Sequence, residues 1–180
     1  MTDFVFLYGP PAVGKYTIGK LLSTYCGYRL FHNHLAIDYV ESVIPWGMPG
    51  FWPTIESVRK QLIGGALENG HSMIATFAYG RPHDDPFIGA LLDTVRKSGA
   101  RFCAVQLMCA RDTLFERVAD AHRARMGKAA LPEVLEDILT EHDCFSEIGG
   151  IDSLLVNTDH LNPAGSVARI AEHFRLPKAP

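Results

Sequence analysis

The segment Gly9-Pro10-Pro11-Ala12-Val13-Gly14-Lys15-Tyr16-Thr17 constrains the fold more than any other stretch of the chain. It has the spacing G-x-x-x-x-G-K, follows an apolar run at 4–8 and precedes a helix-period segment. Glycines at both ends let the backbone curl so that successive N–H groups face one anion. The N-terminus of the following helix adds partial positive charge. Lys15 then supplies a mobile cation for the β- and γ-phosphates of a nucleotide. Strand, loop and helix together specify a phosphate-binding loop, and the ligand expected there is Mg·ATP.

The rest of the pattern agrees. Short apolar runs at 4–8, 29–31, 73–77, 102–108 and 154–156 read as strands. Helix-period segments fall between them, at 15–25, 36–43, from Pro53 onward, after Asp84 or Asp85, from Asp112, from Pro132 and from Asn162-Pro163. Five strands alternating with helices predict an α/β fold: a three-layer P-loop NTPase architecture with a five-stranded parallel sheet and a small lid. The chain has 180 residues, which suits one domain over 1–180. An acceptor-binding region is expected near 32–65 and a lid near 120–131. The stretch 45–53 is rich in Pro and Gly but carries Trp46, Phe51 and Trp52, so it reads as a structured loop beside a site.

Composition narrows the partners. A formal net charge of -3 gives no global positive field for nucleic acid. No apolar run approaches the roughly 20 residues of a membrane helix. The first residues carry no basic stretch of the kind a secretory leader has. Cys26, Cys103, Cys109 and Cys144 form no C-x-x-C pair, which fits free thiols in a cytoplasmic protein.

The loop spelled G-P-P-x-x-G-K-x-T resembles that of adenylate-kinase-like nucleoside monophosphate kinases. There too a residue without an aliphatic hydroxyl separates Lys from Thr. Tyr16 stands where Mg²⁺-binding loops usually place Ser or Thr, so Thr17 is the candidate for phosphate or metal contact. From Lys15 to His34 the sequence is similar to the shikimate-kinase pattern without a gap. Ile18-Gly19-Lys20-Leu21-Leu22 matches the helix after the loop, and Gly27-Tyr28 its G-Y turn. Leu114-Phe115-Glu116-Arg117-Val118 resembles the helix whose Arg packs on adenine in the shikimate/gluconate kinase branch. The resemblance implies Arg117 beside adenine, Arg123 (with Arg125) in a lid, and Arg59 and Arg81 as acceptor-binding arginines. Where shikimate kinase has D-x-D, this chain has His32-Asn33-His34, which argues against shikimate as the acceptor.

These residues outline a reaction. Arg111, Arg117, Arg123, Arg125 and Lys128 place five cations in eighteen residues, suited to a lid that neutralises a transferring phosphoryl group. His34 or Asp38 is placed to take a proton from an acceptor hydroxyl. The third strand ends without the acids of motor ATPases, and no N-K-x-D guanine-reading segment occurs. The expectation is an ATP-dependent kinase acting on a small hydroxyl-bearing metabolite. Two other readings stand beside it: a nucleoside monophosphate kinase clamping its acceptor with Arg59 and Arg81, and a nucleotide-binding regulatory module with little catalysis.

Overall fold

The computed structural model describes residues 1–119 and 131–179. The expected lid at 120–131, with Arg123, Arg125 and Lys128, lies outside the described residues apart from Leu131. One sheet holds β1 (Asp3–Tyr8), β2 (Arg29–Phe31), β3 (Met73–Phe77), β4 (Arg101–Met108) and β5 (Leu154–Asn157), in the order β2-β3-β1-β4-β5. Every pairing is parallel. The described helices are α1 (Lys15–Cys26), α2 (Asn33–Glu41), α3 (Phe51–Glu68), α4 (Asp85–Ser98), α5 (Arg111–Val118), α6 (Pro132–Glu141) and α7 (Pro163–Phe174).

β1 sits at the centre, hydrogen-bonded to β3 on one side and β4 on the other. All six of its residues are buried. Side chains alternate faces along a strand. Val5 and Leu7 therefore join the core under α1, α5, α6 and α7, with Ile18, Leu22, Leu114 and Ile170. Phe4, Phe6 and Tyr8 point into the opposite core, with Ile63, Phe77, Phe87 and Leu91 from α3, β3 and α4. A sheet covered on both faces explains why its strands read as unbroken apolar runs.

Helix ends follow the sequence with three differences. Asn162 caps α7 as expected, its side chain accepting from Gly165 N at 2.8 Å. Asp84 occupies the N-cap position of α4, but its carboxylate turns back to accept from Gly80 N at 2.8 Å. At α5 the cap is Ala110, and the carboxylate of Asp159 reaches across from the loop after β5 to accept from Ala110 N. The helix expected from Asp112 thus starts one residue earlier, at Arg111, with a distant carboxylate bound to the N–H of its cap residue. α2 starts at Asn33 instead of 36, because Asn33 N donates to Thr76 Oγ1 at 3.0 Å and so fixes the first turn against β3.

At the N-terminal edge of the sheet, buried Asp3 accepts from Arg101 Nε at 2.9 Å and from the Tyr28 hydroxyl at 2.8 Å. The second Arg101 donor closes on Phe174 O at 2.8 Å, which ties α7 to the sheet. Burial, reinforced by the bond to Asp3, pushes the Tyr28 phenol up from 10.0 to about 12. A raised folded value means stability that is complete below about pH 10 and lost as pH rises through about 12. Thermal midpoints measured across that window should fall. Tyr28→Phe should flatten part of the fall, with buried Tyr8 and Tyr79, also raised by burial, carrying the remainder.

Candidate active site

The phosphate loop takes its shape from backbone constraints. Gly9 has φ 138°, and a Cβ there would lie 2.2 Å from Leu107 O of β4. No other residue fits where the chain leaves β1. Gly14, at φ 101°, ends the loop and starts α1, while Ala12 holds φ 68° without being glycine. Such a conformation costs an L residue on the order of 1 kcal/mol and recurs at functional loops. Gly19 lets α1 settle on the sheet, since a Cβ would meet Leu30 Cδ1 at 3.0 Å.

Within this loop the Lys15 ammonium donates to Gly9 O at 2.8 Å and Pro10 O at 2.7 Å. The long side chain folds back over the loop and keeps its charge at the loop mouth. Arg117 braces the loop from α5: it donates to Val13 O at 3.3 Å, to Thr158 Oγ1 at 2.9 Å and to Thr158 O at 3.1 Å. Phosphate loop and β5 turn are therefore held by one guanidinium.

The loop opens on a cleft of about 950 Å³ at the C-terminal ends of the strands. This is where parallel α/β sheets bind ligands. The volume is at the upper end for a small-molecule site. Lys15, Tyr16 and Thr17 form one wall, and Val134 and Ile138 of α6 close one end. His34, Asp38 and Glu41 of α2 form the opposite wall with Trp46 and Trp52. Tyr16 and His32 meet edge to face, ring centroids 5.1 Å apart.

The predicted site residues separate into groups. Lys15, Tyr16, Thr17, His34 and Asp38 share the cleft. Arg59 is 6% exposed and stands behind the wall. It donates to Asn33 Oδ1 at 2.6 Å, and its guanidinium carbon lies 5.1 Å and 5.8 Å from the ring centroids of Phe77 and Phe87. Burial pulls its guanidinium down to about 10, opposed by the charges of Asp84 and Glu56. Arg81 is about half exposed and pairs with Asp85 at 3.6 Å. Its backbone bridges to Asp143, whose carboxyl is held below the usual range chiefly by the Ser146 hydroxyl. Arg123 lies outside the described residues.

Asn33 and Glu41 were not singled out from the sequence. Glu41 was within reach of it, since 34, 38 and 41 repeat at helical spacing and share one face of α2. Asn33 carried no such signal. Its role comes from meeting Arg59, 26 residues away. Because Arg59 is a pure donor, Asn33 must present its carbonyl oxygen to it, which turns the Asn33 amino group elsewhere. Asn33 and Thr76 line both the cleft and a cavity of about 10 Å³ beside Arg59, room for a single water-sized group.

No protein-family model matches the sequence, and no curated protein matches it either. Solved structures do match. A sugar kinase from Janibacter sp. HTCC2649 superposes with TM-score 0.71 at 16% identity, covering 98% of this chain and 96% of that one. A shikimate kinase from Acinetobacter baumannii in complex with shikimate gives 0.62 at 14% identity, covering 97% and 94%. A gluconokinase from Sinorhizobium meliloti 1021 gives 0.59 at 19%, covering 97% and 95%. The chain has the shikimate/gluconate-kinase-like P-loop fold. This kinase-like fold keeps its phosphate loop at the end of the central strand and its cleft between that loop and α2.

The Arg59 guanidinium has no carboxylate within ion-pair distance among the described residues. A buried charge of this kind adds little to stability when an apolar chain of similar length can replace it. Arg59→Met should therefore unfold in urea within about 1 kcal/mol of the parent. A loss above roughly 3 kcal/mol would show instead that the guanidinium holds the fold together.

Proposed function

We propose that this chain is a phosphotransferase that moves the γ-phosphoryl group of Mg·ATP to a hydroxyl of a small metabolite. The observation that carries the proposal is the phosphate loop opening directly onto a cleft of about 950 Å³ whose far wall presents Asp38 and His34. A cleft of that volume supports a site for a nucleotide and a small acceptor together. The sugar kinase, gluconokinase and shikimate kinase among the structural neighbours support small-molecule phosphorylation as the reaction class.

In this mechanism the backbone N–H groups of residues 12–17 and the N-terminus of α1 hold the phosphates. Lys15 exchanges the carbonyls of Gly9 and Pro10 for β- and γ-phosphate oxygens. Arg117, already fixed beside the loop and Thr158, flanks the adenine. The acceptor oxygen forms a bond to the γ-phosphorus as the bond from that phosphorus to the β,γ-bridging oxygen breaks. The acceptor proton passes to Asp38 or His34. Arg123 stabilises the transferring group. Thr17, exposed at the cleft, is the residue that would hold Mg²⁺ beside the phosphates, and the ion would supply neutralisation of phosphate charge. Arg59 acts through Asn33 and Arg81 stands at the margin with Asp85, which weighs against a monophosphate clamp.

Nucleotide at about a hundred times its dissociation constant should stabilise the fold by about 2.7 kcal/mol. For a chain of this size that is a rise of roughly 5–10 °C in thermal midpoint. Lys15→Ala should abolish most of the shift. A variant that gained as much from Mg·ATP as the parent would sink the loop assignment. Phosphoryl transfer to a member of a metabolite panel would then establish the kinase, whereas nucleotide binding without transfer to any member would favour a regulatory module.

A further inference from the structure

The acceptor wall has a chemistry of its own. Both tryptophans of the chain, Trp46 and Trp52, lie on it. They are 59% and 42% exposed, with centroids 5.0 Å apart and planes at 76°. Each also packs on Phe51, which is fully buried and anchors the pair. Two large rings held in fixed geometry and left half open at a cavity mark a surface built to receive an apolar face.

Charge decides what else the ligand carries. α2 turns His34, Asp38 and Glu41 to the same cleft, and both carboxylates are solvent-exposed. The cations lining the cleft among the described residues are Lys15 and Lys20, both on α1 beside the phosphate loop. Arg59 is committed to Asn33 and Arg81 to Asp85. A carboxylate on the acceptor would face two like charges, with no guanidinium fork lining the cleft among the described residues. An ammonium would find a carboxylate and two indole faces.

We infer that the acceptor is a hydroxylated ring bearing an amine, its face against Trp46 and Trp52 and its ammonium toward Glu41. Asp38 stays available for the hydroxyl proton. This rests on the phosphotransferase reading and specifies its substrate class. Trp46, Trp52 and Glu41 set specificity and take no part in the bond-making step.

The two tryptophans make the test direct, because all tryptophan emission of the chain comes from this wall. The full chain with Mg²⁺ and a non-hydrolysable ATP analogue is titrated with glucosamine, glucose and glucuronate. The three share one ring and differ in charge. Glucosamine should change tryptophan emission saturably at concentrations at least tenfold below glucose, and glucuronate should give no saturable change. Glu41→Gln should bring glucosamine to within threefold of glucose while leaving the thermal shift with the ATP analogue intact. Trp52→Ala should weaken both sugars, read from the remaining Trp46. Equal or tighter binding of glucuronate, no difference between glucosamine and glucose, or no saturable change with any of the three overturns the inference. If nucleotide stabilisation persists in those cases, the phosphotransferase reading stands. A parent chain with no nucleotide stabilisation loses both.

Discussion

Everything at the site depends on the contact between Gly9 and the carbonyl of Leu107. Where β1 ends, the chain passes so close to β4 that a Cβ would sit 2.2 Å from that oxygen. The strand must end in a residue without a side chain, and the backbone must leave the sheet with positive φ. The turn this forces leads through Ala12 and Gly14, both at positive φ, into the start of α1. It also places Gly9 O and Pro10 O where the Lys15 ammonium finds them. Position in the sheet matters equally. Because β1 is central, its loop emerges between β3 and β4, and the cleft inherits walls from both sides.

The two sides of that cleft are built by different physics. The phosphate side is a backbone device, held by glycine conformations and by one guanidinium that joins Val13 to Thr158. Backbone N–H groups at a helix N-terminus suit phosphates in general and discriminate little among the molecules that carry them. The opposite side is a side-chain device. Asn33, His34, Asp38, Glu41, Trp46 and Trp52 present an amide, an imidazole, carboxylates and indoles, each with its own geometric demand. Specificity for one small molecule over another comes from groups of that kind, because only they distinguish charge and shape.

This division also decides what could be read from the sequence. The phosphate loop was legible because backbone curvature needs particular residue types at fixed spacing, and the chain displays them in order. The strands were legible because a doubly covered parallel sheet leaves runs with no polar alternation. Thr17, Asp38 and His34 could be placed at the cleft once α1 and α2 were recognised. The Arg59–Asn33 pair could not, since it joins an arginine of α3 to the first residue of α2 and exists only after both helices dock. The capping of α5 failed for the same reason: Asp159 reaches Ala110 from 49 residues away, and local pattern pointed to Asp112. The aromatic stretch at 46–52 announced a structured loop but not the direction its rings would face.

The α2 side of the cleft also has its own small core. Ala36, Ile37, Val40, Phe51 and Ile55 pack among themselves, apart from the two clusters that cover the sheet. Phe31 and Thr76 connect this unit to the strands, Phe31 by packing and Thr76 through its bond to Asn33 N. A wall with an independent core can change its surface residues without disturbing the phosphate loop, because the two share few packed side chains. That separation gives a physical reason why this chain can share its fold, at 14–19% identity, with proteins named for different acceptors. At Gly9 and Gly14 a side chain would be strained by positive φ. On the wall, Phe51 and Ile55 fill the space beneath the exposed side chains. The side chains that would distinguish one ligand from another thus come from a short part of the chain, α2 with Trp46 and Trp52, on the same cleft as Lys15.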